Sequence, residues 1–266
     1  MKNDKGKEKN MQIDRRKVRE KFASYTRSYD PEDPKIALKI AHTYRVAENC
    51  EEIARSIGLS DEGVEFAWLS GMLHDIGRFE QIKRYNTFID SESVDHAEFG
   101  ADLLFGDEYL ILNYCDDRSF DEMMETVIRQ HNKYRIDEAV AGETLTFCNI
   151  LRDADKVDIL RVNVETPMEE IYNISEDELL SSGVSEKVMD QVREHHAVNR
   201  DVMDSPAEHL IGHIALAFEL VYPKSREIAK AQGYLYKMFD FPSRNESTWK
   251  ALKDTREELE IFYSSE

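Results

Sequence analysis

A histidine and an aspartate stand side by side in the segment WLSGMLHDIGRFE, which spans residues 68–80. A helix that begins near Ser60 would place Asp75 on the same stripe as Trp68, because residues three, four and seven apart share one helix face. The carboxylate thus falls where a core side chain belongs. Burying an ionised carboxylate without a cationic partner is expensive, and the neighbouring His74 makes a metal ion the obvious partner. The pair therefore predicts a metal site, provided that other helices supply further ligands.

Other residues of ligand type occupy helix positions where the hydrophobic pattern requires a core side chain. They are His42, His96, His131 and Asp155. A lone buried histidine is more often a core residue with a hydrogen-bond partner than a metal ligand. The whole set, together with the adjacent pair, is harder to explain by packing, because each buried group would carry its own desolvation cost. The set predicts a shared partner, namely bound metal.

Ligand type narrows the choice of metal without fixing it. Imidazole and carboxylate ligands without cysteine suit iron, manganese, zinc, cobalt, nickel or magnesium. Among these metals, iron and manganese best suit a site in which two octahedral ions share one bridging carboxylate. The three cysteines have no CxxC spacing, so they give neither a thiolate zinc site nor a disulfide framework. This cysteine usage is typical of a reducing compartment, and we therefore expect a cytoplasmic protein.

The charge balance limits the classes of partner. The chain of 266 residues has 35 basic and 54 acidic side chains, which gives a net charge of −19. This argues against attraction to extended nucleic acid or to an anionic membrane, whereas a small anionic ligand is compatible with it where cations gather locally. No apolar run reaches the roughly 18 to 20 residues of a membrane span. We expect a protein that is neither inserted into a membrane nor exported.

The helices that must position these ligands can be predicted from capping residues and breaks. Asp33 as N-cap and Pro34 at the first helical position begin a long helix that ends at Gly58. The helix with the adjacent pair is expected to break at Gly77. A third helix is expected to begin near Ser93, and two more follow. Each of them carries one residue of ligand type on its apolar stripe.

The whole chain is predicted to be all-α, since it shows no β-hairpin signal and no internal repeat. The polar segment 1–12 is predicted to be a disordered charged tail. Residues 13–165 would form the metal-binding core, and residues 166–266 would form a C-terminal helical extension packed on it. Within this extension, 207–221 and 224–239 are each predicted to be one helix.

The order of the ligand-type residues, H…HD…H…H…D, resembles that of the HD-domain superfamily, an all-helical family of metal-dependent phosphohydrolases. The resemblance spans residues 36–162 and implies an HD-domain helical bundle. It is carried by the segments AHTYRVA, LHDIGRF, DHAEFGA, IRQHNK and RDADKVD. His96 and His131 mark the two-metal branch, which includes HD-GYP cyclic-dinucleotide phosphodiesterases and some nucleotide hydrolases. No GYP-like triplet follows His131 or Asp155, so that subfamily is not indicated.

Carried over residue by residue, the resemblance implies a binuclear metal site. One ion would be held by His42, His74, Asp75 and Asp155. The second would be held by His96, His131 and Asp75, which bridges the two ions. Two divalent ions against two aspartates leave a surplus of about two positive charges, which can draw a phosphate into an acidic protein. The implied chemistry is hydrolysis by a metal-bridging hydroxide, with Asp75 as the central catalytic residue.

Two cations are predicted to contact the substrate. Arg78 follows the HDIG segment, where relatives often carry lysine, and its guanidinium can grip two phosphate oxygens. The alternative is a salt bridge from Arg78 to Glu80 or another acid. Lys133 is the second predicted contact, with a solvent-exposed position as its alternative. His209 and His213 are four residues apart, but no glutamate follows the first, so we interpret them as core or wall histidines rather than as a metalloprotease site.

The function predicted from these features is hydrolysis of a small phosphorylated compound, either a nucleotide or another metabolite phosphate. The bond that is cleaved, whether monoester, diester or anhydride, stays open, as does the oligomeric state. A first alternative is a mixed-valent di-iron oxygenase, because a few HD-fold oxygenases use the same ligand set. A second alternative is a non-catalytic module that uses the pocket to sense a ligand.

Overall fold

The structure is a computed structural model that describes residues 13–167 and 174–264. These residues form α-helices, short 3₁₀-helices and connecting segments, and none of them lies in a β-strand. The predicted all-α fold class is confirmed. The predicted disordered tail, residues 1–12, lies outside the described residues.

Contacts within the chain divide it into two units. The first unit comprises the residues up to His131 together with 138–148, and the second comprises 132–137 and 149–266. A single helix, Gly142–Glu165, belongs to the first unit at its start and to the second from residue 149 onward. These units do not follow the predicted domain boundary after residue 165, which stays a prediction.

The helices are numbered here in chain order. In the first unit they are α1 (Arg15–Thr26), α2 (Pro34–Ser56), α3 (Asp61–Leu73), α4 (Ile76–Tyr85), α5 (His96–Phe105), α6 (Asp121–Gln130) and the start of α7 (Gly142–Glu165), with 3₁₀-helices at Asp90–Glu92 and Leu110–Asn113. In the second unit α7 is followed by α8 (Glu176–Ser181), α9 (Glu186–Arg193), α10 (Pro206–Ala215), α11 (Pro223–Gln232), α12 (Tyr234–Phe239) and α13 (Glu246–Ser264), with 3₁₀-helices at Arg200–Val202 and Leu216–Glu219. None of the helices in the described ranges has the length and apolar character needed to cross a bilayer.

Helix α2 begins and ends where its capping residues predict. The Asp33 side chain accepts a hydrogen bond from the Lys35 amide at 2.8 Å, and Pro34 occupies the first turn. Gly58 follows the C-terminus with a φ of 75°, a left-handed conformation that glycine adopts without steric cost. This prediction is confirmed, and His42 lies among the buried residues of the helix.

Helices α2 and α3 approach each other closely because Gly71 has no side chain. A Cβ atom added to Gly71 would lie 2.6 Å from the Ala47 Cα and 3.2 Å from the Cys50 sulfur. Ala47 and Cys50 are themselves fully buried. Since His42 lies on α2 and His74 directly follows α3, this contact brings the two histidines together.

The adjacent histidine and aspartate lie at the junction of two helices. Helix α3 ends at Leu73, His74 is its C-cap, and α4 begins at Ile76. Asp75 has a φ of −101° and a ψ of 16°, in the sparsely populated bridge region that often holds active-site residues. The predicted break at Gly77 was wrong, because the chain turns two residues earlier.

Gly77 instead permits close packing of α4 on α5. A Cβ atom added to Gly77 would lie 2.4 Å from the His96 carbonyl oxygen and 2.7 Å from the Gly100 amide nitrogen. Helix α5 begins at His96, with the Asp95 side chain as its N-cap, so the start predicted near Ser93 was three residues early. The contact fixes the first turn of α5 against the first turn of α4.

Helix α1 supports the same turn of α4 from another side. The Phe22 and Phe79 rings pack edge to face with their centroids 5.8 Å apart, and both side chains are fully buried. The Tyr25 hydroxyl donates a hydrogen bond to the Ile76 carbonyl oxygen at 3.2 Å. Together these contacts hold the backbone directly after Asp75, and such packing restricts where the carboxylate can point.

In the second unit, two stretches predicted as single helices are interrupted. In the stretch 207–221, α10 ends at Ala215 and a 3₁₀-helix follows, a common way for a helix to tighten at its C-terminus. In the stretch 224–239, Gly233 has a φ of 72° and separates α11 from α12. The left-handed conformation of Gly233 ends α11, because the backbone turns away from the helix axis there and the residues that follow cannot extend the i to i−4 hydrogen bonds of the helix.

Candidate metal centre

The predicted ligands of the first unit are all buried, and all of them except His42 lie at helix ends. His42 lies on α2, His74 and Asp75 lie between α3 and α4, His96 is the first residue of α5, and His131 is the C-cap of α6. Each of these residues is at most 4% exposed. Helix termini bring side chains from several directions to one point, whereas residues within one helix would be spread along its axis.

The first cluster consists of His42, His74 and one oxygen of Asp75. The two Nε2 atoms lie 3.3 Å apart, and each lies 3.4 Å from the Asp75 Oδ2. Three ligand atoms bound tetrahedrally to one ion at about 2.1 Å would be about 3.4 Å apart. The cluster therefore has the dimensions of a metal site.

The second cluster uses the other oxygen of Asp75. The Nε2 atoms of His96 and His131 lie 3.0 Å apart, at 3.5 Å and 4.0 Å from the Asp75 Oδ1. Both clusters are groups of ligand-type side chains able to hold a metal ion. Asp75 belongs to both, with one carboxylate oxygen directed at each pair of imidazoles. This is the arrangement of a bridging carboxylate.

The hydrogen bonds behind the imidazoles fix which ring nitrogen faces the clusters. The His74 Nδ1 lies 2.8 Å from the Gly71 carbonyl oxygen, and the His131 Nδ1 lies 2.7 Å from that of Ile128. A carbonyl oxygen only accepts, so each Nδ1 donates its proton and each Nε2 carries the lone pair of the ring. Inward-facing lone pairs only a few ångströms apart repel each other unless a cation lies between them. The donor set therefore fits a metal.

Asp90 supports the second cluster from behind, and the sequence analysis did not identify it. Its Oδ2 accepts a hydrogen bond from the His96 Nδ1 at 2.7 Å, and its Oδ1 accepts from the Arg78 Nη1 at 2.7 Å and from the Gln81 Nε2 at 2.9 Å. Although burial opposes ionisation, the bond from His96 and the charge of Arg78 hold the pKa of Asp90 well below its usual value. Asp90 therefore orients His96 as an ionised carboxylate.

The electrostatics of the centre keep Asp75 ionised and His96 neutral. Burial opposes ionisation of Asp75, but the charge of Lys39 and the neighbouring His74 and His96 hold its pKa well below the usual value. Burial, followed by the charge of Arg78, lowers the pKa of His96. An ionised carboxylate and neutral imidazoles are the protonation states that bind metal.

Lys39 is a second residue that the sequence analysis missed. It lies one helical turn before His42, and its Nζ is 2.7 Å from the Asp75 Oδ2. Its side chain is 16% exposed, and its Nζ lies 5.5 Å from the centre of the Phe88 ring. The spacing of three residues from His42 is the signal that could have identified Lys39.

The predicted phosphate-binding residue, Arg78, lies at the edge of the same centre. Its Nη1 donates hydrogen bonds to the Gln81 Oε1, the Phe88 carbonyl oxygen and the Asp90 Oδ1, all at 2.7 Å. Its Nε is buried without a hydrogen-bond partner, 3.6 Å from the Asp75 Oδ1. The guanidinium is therefore held in place with one donor still unused.

The alternative for Arg78 holds in one of its two forms: the pairing with Glu80 does not occur, but Arg78 forms a salt bridge with another acid, Asp90, at 2.7 Å. The Glu80 carboxylate instead accepts hydrogen bonds from Tyr29 at 2.9 Å, from Lys83 at 3.2 Å and from Arg84 at 3.0 Å. These partners hold Glu80 on the outside of α4. The predicted contact between Arg78 and substrate stays a prediction.

The remaining predicted site residues belong to the second unit. Asp155 lies half-buried on α7, and Lys133 lies half-buried in the segment 132–137. Their roles as metal ligand and substrate contact stay predictions. Burial, followed by the charge of Arg200, lowers the pKa of His213 to about 3 and also lowers that of His209. Neutral histidines on α10 agree with the interpretation as core or wall residues.

Another acidic group adjoins the second cluster and is explained by local structure. Asp90, Asp95 and His96 together form a further set of ligand-type side chains. Asp95, however, caps α5 by accepting a hydrogen bond from the Ala97 amide at 3.0 Å, and Asp90 binds His96 and Arg78 as described above. Asp90 and Asp95 therefore position residues of the metal centre, and their contacts explain them without a further metal ion.

Comparison with known proteins identifies the family. Residues 40–160 match the family model of the HD domain, and this part of the chain is an HD domain. This range includes every predicted metal ligand from His42 to Asp155. HD domains are in general metal-dependent hydrolases that bind divalent metals. Neither the curated proteins nor the solved structures contain a significant match to the chain.

Proposed function

We propose that the protein is a metal-dependent phosphohydrolase that acts on a small phosphorylated substrate, either a nucleotide or another metabolite phosphate. The observation that carries this proposal is the position of Asp75 between two pairs of imidazoles. Its Oδ2 lies 3.4 Å from the Nε2 atoms of His42 and His74, and its Oδ1 lies 3.5 Å and 4.0 Å from those of His96 and His131. Two ions bridged by one carboxylate are a known arrangement for phosphoryl transfer.

The metal ions proposed are two divalent cations, with iron or manganese favoured and zinc, cobalt, nickel or magnesium as alternatives. When bound, they would polarise phosphoryl oxygens and lower the pKa of water toward neutrality. They would bring four positive charges, of which Asp75 offsets one. This local surplus supports an anionic substrate even though the net charge of the chain is −19.

Two cations of the protein itself support the choice of a phosphorylated substrate. The Lys39 Nζ and the Arg78 guanidinium carbon lie 5.5 Å and 5.9 Å from the centre of the Phe88 ring, so the two side chains share one aromatic neighbour. Arg78 is anchored by Asp90 and keeps its Nε unused. We infer that Lys39 and Arg78 orient the phosphoryl group, since anchored cations lose little entropy on binding an anion. Lys133 remains in the proposal as a further substrate contact.

The test combines elemental analysis with assays on three chromogenic or natural substrates. Purified protein loaded with Mn²⁺ or Fe²⁺ under anaerobic conditions is assayed with p-nitrophenyl phosphate, bis-p-nitrophenyl phosphate and nucleoside phosphates. Asp75→Ala should lose both metals and reduce hydrolysis by about 100-fold or more, because the bridge serves both ions. Asp116→Ala is the matched control, since the Asp116 side chain is 85% exposed.

The outcomes separate the proposal from its alternatives. Hydrolysis that depends on metal and on Asp75 supports the proposal, and the preferred substrate identifies the bond. Consumption of dioxygen with a mixed-valent iron signal, and no anaerobic hydrolysis, would identify the oxygenase instead. Binding of a phosphorylated compound without turnover in any metal condition would identify the sensing module.

A further inference from the structure

The second unit contains a buried lysine whose charge is poorly compensated. Lys156 lies on α7 and is 7% exposed. Its ammonium has one hydrogen bond, at 3.4 Å to the Arg152 carbonyl oxygen. An ammonium group has three donors, and within the described part of this unit no carboxylate forms an ion pair with it. A buried charge in this state carries a large desolvation cost unless something else compensates it.

Asp153, an acidic residue three positions before Lys156 in the sequence, is engaged elsewhere. The Asp153 carboxylate accepts hydrogen bonds from the Val221 amide at 3.0 Å, the Tyr222 amide at 2.9 Å and the Ser225 hydroxyl at 2.7 Å. These bonds tie the start of α11 to α7. Asp153 therefore has a structural role, and its carboxylate does not form an ion pair with the Lys156 ammonium.

A second acidic residue of the same region is also engaged. The Glu219 Oε1 accepts hydrogen bonds from the Arg135 Nη1 at 2.9 Å and from the Ala197 amide at 3.0 Å, and the His196 Nδ1 lies 3.3 Å away. Three partners on one oxygen hold this carboxylate in place. Like Asp153, it has its own partners and forms no ion pair with the ammonium.

These side chains line a cavity of about 180 Å³. The charged residues in its wall are Arg135, Arg152, Asp153, Lys156 and Glu219. Three cations against two acids leave one excess positive charge, in a chain whose net charge is −19. The volume has room for several water-sized groups. The cavity thus combines space, positive charge and unused ammonium donors.

We propose that this cavity binds a small oxyanion, the phosphate or carboxylate group of a metabolite, with the Lys156 ammonium as its main cationic contact. Arg152 is 7% exposed, and its guanidinium is anchored on the Lys133 and Tyr134 carbonyl oxygens. It therefore adds positive charge in a fixed position, while Lys156 supplies free donors. An oxyanion would satisfy those donors and offset the excess charge, as charge-assisted hydrogen bonds to a lysine commonly do. This site lies in the second unit and goes beyond the proposed hydrolysis.

The test measures anion binding by isothermal titration calorimetry with inorganic phosphate and, separately, with succinate. Each titration is run on metal-loaded protein and on protein treated with a chelator. Phosphate that binds to the metal ions is identified because this binding disappears after chelation. Lys156→Met is the main variant, because methionine keeps an unbranched chain of similar length without the charge. Lys230→Met is the matched control, since Lys230 is an exposed lysine on α11.

The proposal expects wild-type protein and Lys230→Met to bind at least one of the two anions with or without metal, and Lys156→Met to bind it at least about 10-fold more weakly. Binding of phosphate alone would assign a phosphate group, and binding of succinate alone a carboxylate. Equal affinity of wild-type protein and Lys156→Met, or no binding of either anion to the chelated wild type, would overturn the proposal.

A melting experiment separates ligand binding from a structural role. Without anion, Lys156→Met should melt at the wild-type temperature or above it, because the variant removes a buried charge that lacks an ion pair. Saturating anion should raise the melting temperature of the wild type and leave that of Lys156→Met unchanged. A variant that melts lower than wild type by the same amount with and without anion would show that Lys156 only supports packing, and the proposal would fail.

Discussion

Replacement of Gly77 by alanine tests how closely the contact between α4 and α5 sets the metal centre. The added Cβ would meet the His96 carbonyl oxygen at 2.4 Å and the Gly100 amide nitrogen at 2.7 Å. Since carbon and oxygen in contact are normally at least about 3.3 Å apart, the two helices must separate by about 0.9 Å. The first turn of α5 would move away from the first turn of α4.

This separation acts on one cluster more than on the other. The His96 Nε2 lies 3.5 Å from the Asp75 Oδ1, and the shift would extend this distance to about 4.4 Å, beyond the reach of two ligands of one ion. His42 and His74 lie outside the contact between α4 and α5. We therefore expect Gly77→Ala to lose about one ion per chain, from the cluster of His96 and His131.

The expected energies can be checked by three measurements. Overpacking a tight contact costs about 1–3 kcal/mol, which exceeds the roughly 0.5–1 kcal/mol that alanine gains over glycine within a helix. Urea unfolding should therefore show a lower free energy of unfolding for Gly77→Ala. Elemental analysis should show the missing ion. The hydrolysis rate should fall by about 100-fold, the cost of a misplacement of about 1 Å at a reacting centre.

Gly63→Ala is the matched control for this prediction. A Cβ atom at Gly63 would meet the Leu59 Cβ at 3.3 Å, a contact with a side chain rather than with backbone. This variant should keep its metal content and be as stable as the wild type or more stable. If Gly77→Ala unfolds at the wild-type urea concentration and keeps both its metal content and its activity, the contact does not position the centre and this reasoning is refuted.

Three further predictions concern single side chains. His131→Ala should remove the ion of the second cluster and leave the first, and unchanged metal content would contradict a second ion. Arg78→Ala should keep its metal but lower kcat/KM for phosphorylated substrates by about 10- to 100-fold, since a hydrogen bond to a charged group contributes about 1.5–3 kcal/mol; wild-type kinetics would make Arg78 purely structural. The pKa of His213 is about 3 in the folded protein and about 6.5 when unfolded, so the unfolded state binds more protons between these values. The free energy of unfolding should fall by about 1–2 kcal/mol from pH 7 to pH 5, a loss that urea unfolding of His213→Leu should not show.

The hydrophobic pattern singled out the candidate ligands of the first unit because each of them interrupts an apolar stripe. His42 and His131 follow buried stripes on α2 and α6, and both lie in the centre. Periodicity reports which face of a helix is buried, and a polar residue on that face stands out from its neighbours. The structure shows that these residues are buried and lie together, whereas their role as metal ligands stays a prediction.

The supporting residues could not be predicted, because their roles depend on tertiary contacts. Asp90 lies in a 3₁₀-helix between α4 and α5, within a polar segment that has no periodicity. Lys39 resembles any surface lysine of a long helix until Asp75 is placed next to it. A sequence pattern contains no information about which side chain from a distant segment lies behind an imidazole.

The helix break at the adjacent pair shows how packing overrides a local signal. Gly77 was expected to end the helix, but tight packing against Gly100 is what requires a glycine there. The turn lies at Asp75 instead, two residues before that glycine. In the second unit the opposite occurred, because Gly233 does end α11 although the helix was predicted to continue.

The carboxylate of Asp90 joins two parts of the centre that are usually treated separately. One of its oxygens binds His96 and the other binds Arg78, so the orientation of a metal-facing imidazole and the position of a guanidinium depend on the same short segment. Loosening that segment would weaken metal retention and displace the cation together. A relative with a different residue at this position should therefore differ from the present protein in both properties at once, and selection for a new substrate through this segment would also change the metal affinity.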